Sequence, residues 1–147
     1  MRRLLAALVA VAFATLAIPA FAQTDADVLD QIETLHGDSE GFVAAFELLR
    51  ESFVSGDAST LADMAVYPLT VEANGETYDV LSGQDLVDNA MTLVTPETVE
   101  AMGNQSLADL IVTSDGVGLA NGAMWMALVC SDDSCSDSYW GVIRINN

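Results

Sequence analysis

Two cysteines, Cys130 and Cys135, enclose a run of hydroxyls and carboxylates in the segment VCSDDSCSDSYWG, which spans residues 129–141. Residues of these types fit three chemistries. A disulfide fits if SDDS is a four-residue hairpin loop, because the cysteines then face each other across an antiparallel ladder within bonding reach. Such a small loop limits the stabilisation to roughly 2 kcal/mol. A redox-catalytic pair more often has Cys-x-x-Cys spacing, at a helix start beside a cation, and none of these features is present. Zinc needs two further ligands, and the one histidine, His36, lies far upstream. Calcium is the better metal, since Asp132, Asp133 and Asp137 offer hard oxygens, but their spacing follows no calcium-loop pattern. The staple is therefore the expected role, and no cofactor or metal is expected.

Elsewhere the catalytic vocabulary is thin. A nucleophile–His–acid triad depends wholly on His36, which sits beside Gly37 between two helical stretches and reads as an exposed corner. The 22 acidic residues supply general acids and bases in abundance, so nominating any two says little. Glu72 and Asp79 fall on the polar face of a ribbon. Asp109 interrupts an apolar strand and is the candidate inward-facing acid. Phosphate-cradling glycine loops and dinucleotide fingerprints do not occur, and no catalytic residue is assigned. The aromatic residues Tyr67, Trp125, Tyr139 and Trp140 are candidates for a pocket or an interface. With Cys130 opposite Cys135, the register sets Trp125 against Trp140 on one face and puts Met124, Met126, Leu128 and Tyr139 on the other. Both faces of that ribbon are then apolar, whereas a sheet with helices on one side needs only one such face. A face-to-face homodimer through the sheet is the expected cover.

The elements that must position these residues follow a signal-like N-terminus. Arg2 and Arg3 precede an apolar run from Leu4 to Ile18, and Ala20-Phe21-Ala22 is a small-x-small cleavage site. This is the layout of a signal peptide over residues 1–22, cut after Ala22 and too short to span a membrane. Export to the periplasm or the extracellular space is expected. Removing 22 of the 147 residues leaves 125, which suits one domain, 23–147. All 22 acids lie in that part, with only Arg50 and Arg144 against them, so its formal charge is −20. Nucleic acid requires a cationic surface and is excluded, and anionic membrane surfaces are disfavoured for the mature form. The charge fits a self-repelling protein or one that meets a basic partner. A 52% hydrophobic composition argues against disorder.

Apolar spacing predicts a short helix from Asp25 to Leu35. A main helix begins after Ser39 with the stripe Phe42, Ala45, Phe46, Leu49 and Phe53, and a third helix is capped by Asp57. LTVEANGETYDV predicts a hairpin about Asn74-Gly75, with Val71 facing Tyr78 and Leu69 facing Val80. Ser82 and Asp85 open a helix bearing Leu86, Val87, Ala90, Met91 and Val94, and Thr95-Pro96 opens a shorter one that ends at Gly103. Three antiparallel strands are expected to follow: LADLIVTS, the run VGLANGAMWMALV, and Tyr139 to Ile145; Asn121-Gly122 reads as a bulge or bend in one long strand in preference to another hairpin turn. Helices segregated from an antiparallel sheet make an α+β fold.

The segments GDASTLADMAVYPLTV and GVGLANGAMWM, with the YPL motif and the Cys-x4-Cys hairpin after a signal peptide, resemble an exported bacterial subgroup with the nuclear-transport-factor-2-like fold. The resemblance runs from about Gly41 onward. It implies a curved antiparallel sheet wrapped around the long N-terminal helix, a cystatin-like cone with a pocket at its open end. The fold hosts ketosteroid isomerase and polyketide cyclases alongside many non-catalytic binding modules, so fold alone does not settle function. Three roles are in view. The first is a non-enzymatic module that holds a small apolar ligand or a protein partner. The second is a pocket enzyme of isomerase or cyclase type, using carboxylate and tyrosine acid–base chemistry. The third is an acidic inhibitor or partner of a basic exported protein.

Overall fold

The computed structural model describes residues 23–147. The expected signal peptide, residues 1–22, lies outside the described residues. Three helices open the described part of the chain: α1 (Asp25–His36), α2 (Ser39–Ser55) and α3 (Ala58–Met64). Each begins at a side chain that satisfies an orphan backbone N–H, which is what lets short helices start cleanly. Thr24 and Asp27 form a reciprocal capping box, the Asp38 side chain accepts from the Gly41 N–H, and Asp57 accepts from Ser59. Gly37 and Gly56 end α1 and α2 in the left-handed region at φ 79° and 75°, where a Cβ would be strained. The α2 stripe is buried as its spacing requires: Phe42, Phe46 and Leu49 have almost no accessible surface. Each contributes roughly 1.5–3 kcal/mol by leaving water.

The chain then forms β1 (Ala65–Ala73) and β2 (Glu76–Val80), joined at Asn74-Gly75 with φ 56° and 78°. The register is the one the turn dictates, with Leu69 opposite Val80 and Val71 opposite Tyr78. Next come α4 (Gly83–Leu93), capped by Ser82, and α5 (Pro96–Gly103), capped by Thr95. Four strands follow where three were expected: β3 (Ile111–Thr113), β4 (Gly116–Leu119), β5 (Met124–Cys130) and β6 (Ser138–Asn146).

Three expectations about this second half are corrected. Residues Leu107–Asp109 form a 3-10 turn, so only the end of LADLIVTS is strand. Asn121-Gly122 lies in a true reversal between β4 and β5. Ala120, Asn121 and Gly122 all take positive φ (49°, 57° and 88°), and the Gln105 side chain accepts the Ala120 N–H at 2.7 Å to hold the turn from the end of α5. The sheet is mixed, not antiparallel. Its order is β2-β1-β6-β5-β4-β3, and β6 runs parallel to β1, with Val71 beside Ile145. The free edge of the buried strand β1 needed a partner, and alternation of side chains carries no information about that partner's direction. The α+β class stands, as five helices and a six-stranded open sheet among the described residues.

The register of β5 and β6 differs too. Cys130 pairs with Ser138, Leu128 with Trp140 and Trp125 with Arg144, across a seven-residue loop, 131–137. The sheet therefore has two unlike faces. Val112, Val117, Met126 and Val142 form one row across four strands, facing the helices with Met124, Ile145 and Trp140. Ile111, Gly118, Trp125, Arg144, Thr70 and Asp79 form a row across all six strands on the opposite face. Trp125 and Trp140 do not meet: one slip of register turns a side chain through the sheet.

Candidate functional site

The five sequence-predicted pocket residues are scattered. Trp140 is core, 5% exposed, with its Nε1–H donating to the Asp38 carbonyl at 3.0 Å and its ring edge-on to Phe42 at 5.0 Å. Trp125 lies half-buried on the outer sheet face beneath the Arg144 guanidinium, 5.2 Å from the ring centroid. Its ring covers Gly118, where an added Cβ would approach within 3.2 Å. Tyr139 is 45% exposed on the same face. Asp109 does not point inward: it is exposed and accepts from the Ser106 hydroxyl at 2.6 Å, because the 3-10 turn replaces the strand that would have buried it. Tyr67 is half-buried beside α3 and donates to the Ala62 carbonyl at 2.8 Å. Burial pushes its hydroxyl above the usual tyrosine range, helped by the charges of Asp63 and Asp85.

His36 is no exposed corner. Its Nε2–H donates to the Thr113 carbonyl at 2.9 Å, and its ring meets Trp140 edge-on at 5.3 Å, tying the end of α1 to the β3–β4 turn.

The cysteine loop is a staple of a different shape. Cys130 and Cys135 are bonded, with Cα atoms 4.7 Å apart, but Cys135 lies inside the loop at φ 54° instead of on β6. Asp132 organises the loop. Its carboxylate accepts from the Ser134 N–H and hydroxyl at 2.9 and 2.7 Å and from those of Ser136 at 3.1 and 2.5 Å. These bonds, led by the Ser136 hydroxyl, lower its pKa to about 2. Among the described residues no group of three or more His, Cys, Asp or Glu side chains is placed to hold a metal ion.

A hollow lies on the helical side, where sequence reasoning did not place it. A cleft of about 560 Å³ runs between the end of α2, α3, α4 and α5. Phe53, Leu61, Val87, Met91, Val94 and Val99 form its walls, and Ser52, Asp57 and Glu100 supply its polar atoms. Helix α4 explains why. Its apolar residues divide between core and cleft. Leu86 and Leu93 are buried, whereas Val87 is 38% and Met91 98% exposed along the cleft. The signal was present in the width of the stripe: Leu86, Val87, Ala90, Met91 and Val94 cover more of the helix than one packed face needs. A second hollow, about 380 Å³ between β2 and α4, is polar, with Asp79, Asp85 and Asn89 on its wall.

Asn147 bridges the two cleft helices, α4 and α5. Its Nδ2 donates to the Leu93 carbonyl at 2.6 Å, at the end of α4. Its Oδ1 accepts from the Thr98 hydroxyl at 2.6 Å and the Thr95 N–H at 3.1 Å, at the start of α5. The electrostatics of the cleft are one-sided. The Ser59 hydroxyl, then that of Thr60, holds the Asp57 carboxyl below its usual range. Among the described residues no basic side chain lines the cleft. No protein-family model matches this sequence, and neither does any curated protein or solved structure.

Proposed function

We propose that the protein is an exported, non-enzymatic binding module that holds a small apolar ligand in the cleft between α2, α3, α4 and α5. The observation that carries this reading is the apolar wall left facing water, with Met91 almost fully exposed beside Val87 and Val99. Covering such surface returns about 25 cal/mol per Å², and the cleft volume falls within the roughly 300–1,000 Å³ of small-molecule sites. The disulfide supports export, since such bonds persist in oxidising compartments. Among the described residues no helix is long and apolar enough to cross a membrane. The long helix α2 packed on a six-stranded sheet keeps the nuclear-transport-factor-2-like cone as part of the proposal.

Acid–base catalysis fits the cleft less well. Asp57 is occupied by Ser59 and Thr60, and Tyr67 donates to a backbone carbonyl outside the cleft lining. One further observation keeps an interaction role in view: the outer sheet face carries Ile111, Trp125 and Tyr139, all partly or largely exposed. A homodimer through that strip is the second reading. The primary reading is tested by titrating the protein with the neutral dye N-phenyl-1-naphthylamine. Saturable fluorescence enhancement is expected, and Ala90→Trp, which fills the cleft, should abolish it without lowering the melting temperature. A dye that does not bind, or binds Ala90→Trp equally well, refutes the assignment.

A further inference from the structure

The chemistry of the cleft ligand can be narrowed, on the premise that the cleft binds apolar molecules at all. The polar residues that line the cleft are Asp57 at the start of α3, Glu100 on α5 and Ser52, whose hydroxyl is itself donated to the Leu49 carbonyl at 2.6 Å. The Asp57 carboxylate stays ionised because three hydrogen bonds from Ser59 and Thr60 favour the charged form. No cation within the described chain is placed to neutralise this rim. Arg50 is paired with Glu47 at 2.6 Å, and Arg144 lies over Trp125 on the far face of the sheet. The field of the whole described chain has the same sign, with 22 acids against these two arginines.

We infer that the cleft takes a cationic amphiphile: an alkyl or aryl body seated among Phe53, Leu61, Met91 and Val99, with a positively charged nitrogen at the Asp57 and Glu100 carboxylates. A fatty acid matches the apolar wall equally well, but its carboxylate is repelled at the rim. Hydrophobic burial supplies the affinity, which any chain of the same length shares, and rim charge supplies the choice between head groups.

The test compares three amphiphiles of one chain length, dodecyltrimethylammonium, dodecanol and dodecanoate, below their micellar concentrations, by displacement of the bound dye. At low ionic strength the ammonium should bind at least tenfold more tightly than the carboxylate, with the alcohol between them. The two rim carboxylates attract the ammonium and repel the dodecanoate head, and the alcohol feels neither force, which sets that order. Raising the salt to about 1 M shortens the screening length to about 3 Å and should collapse it. In the double variant Asp57→Asn, Glu100→Gln the ratio should approach one; asparagine retains the capping oxygen, and a ratio is insensitive to a general loss of affinity. Amide shifts on the ammonium ligand should cluster in residues 52–61 and 87–100. Equal affinity for the three heads, or shifts on the Trp125 face, overturns the cationic assignment while the apolar cleft survives. Binding of none of them overturns both. Two other occupants count against the inference: a second copy that blocks the dye as protein concentration rises, or a lysine-rich amphipathic peptide that outcompetes the ammonium tenfold.

Discussion

Replacing Asn147 by alanine tests whether one side chain holds the cleft helices in register. In the native protein Asn147 bridges the last carbonyls of α4 and the first donors of α5, with two short bonds of 2.6 Å to Leu93 and Thr98. Both partners are in the buried set, Leu93 at 4% and Thr98 at 3% exposure, so water does not readily replace what is lost. Each bond contributes roughly 0.5–1.5 kcal/mol net, so Asn147→Ala should cost about 1–3 kcal/mol. The longer bonds, to Glu72 at 3.3 Å and from the Thr95 hydroxyl at 3.4 Å, add little. With m near 2 kcal/mol/M, the urea midpoint should fall by roughly 1 M at constant m. Dye affinity, measured far below that midpoint, should fall severalfold, because α5 carries Val99 and Glu100 into the cleft. Asn147→Asp should be worse, since its second oxygen would face the Leu93 carbonyl that now receives a donor. A midpoint unchanged in both variants would refute the bridge. A lower midpoint with unchanged dye affinity would keep the bridge as a staple and remove its part in shaping the cleft.

Three other outcomes follow from the structure. Trp140→Ala should cost about 3–5 kcal/mol, the range for a large buried aromatic residue, whereas Tyr139→Ala should cost less than about 1 kcal/mol; similar urea shifts for the two would contradict the β5–β6 register. Replacing Cys130 and Cys135 by serine should lower stability by about 2 kcal/mol, because the bond closes so short a loop, and a loss above about 4 kcal/mol would mean the loop does more than constrain the unfolded chain. The Asp132 carboxyl is depressed in the folded state, so its contribution is complete at neutral pH and is lost only as pH falls towards 2. Its carboxyl carbon resonance should titrate near pH 2, and Ser136→Ala should raise that midpoint towards the ordinary aspartate range; a native midpoint already there would remove the proposed bonds.

The parts of the fold legible in the sequence are those written in local chemistry. Asp57, Ser82 and Thr95 mark helix starts, Gly37 and Gly56 mark stops, and Asn74-Gly75 fixes both the turn and the pairing of β1 with β2. What failed depended on partners distant in the chain or on a loop whose own hydrogen bonds replace strand pairing. The reversal at Ala120–Gly122 is held by Gln105, and a lone glutamine ahead of a strand carries no such message. The β5–β6 register was inferred from the cysteines, on the premise that bonded cysteines face each other across a ladder. Asp132 gathers Ser134 and Ser136 into a compact loop that brings Cys135 back to Cys130 without any strand pairing. That slip moved Trp140 to the wrong face and drew the candidate site towards the sheet.

The cleft was missed for a related reason, and the reason bears on where function sits in a chain with so little catalytic vocabulary. Helical periodicity tells which residues share a side but not whether the chain itself supplies the surface that covers them. In α2 the apolar stripe meets the sheet and is consumed by the core. In α4 the stripe is wider than its contact, and Val87 and Met91 are left over. Val99 of α5 is surplus in the same way, and the three meet in one hollow beside the half-buried Phe53 of α2. Each residue alone is an ordinary exposed hydrophobe. Their convergence beside two carboxylates, with no cation among the described residues at the rim, is what distinguishes the cleft, and Asn147 bonds both of the helices, α4 and α5, that wall it.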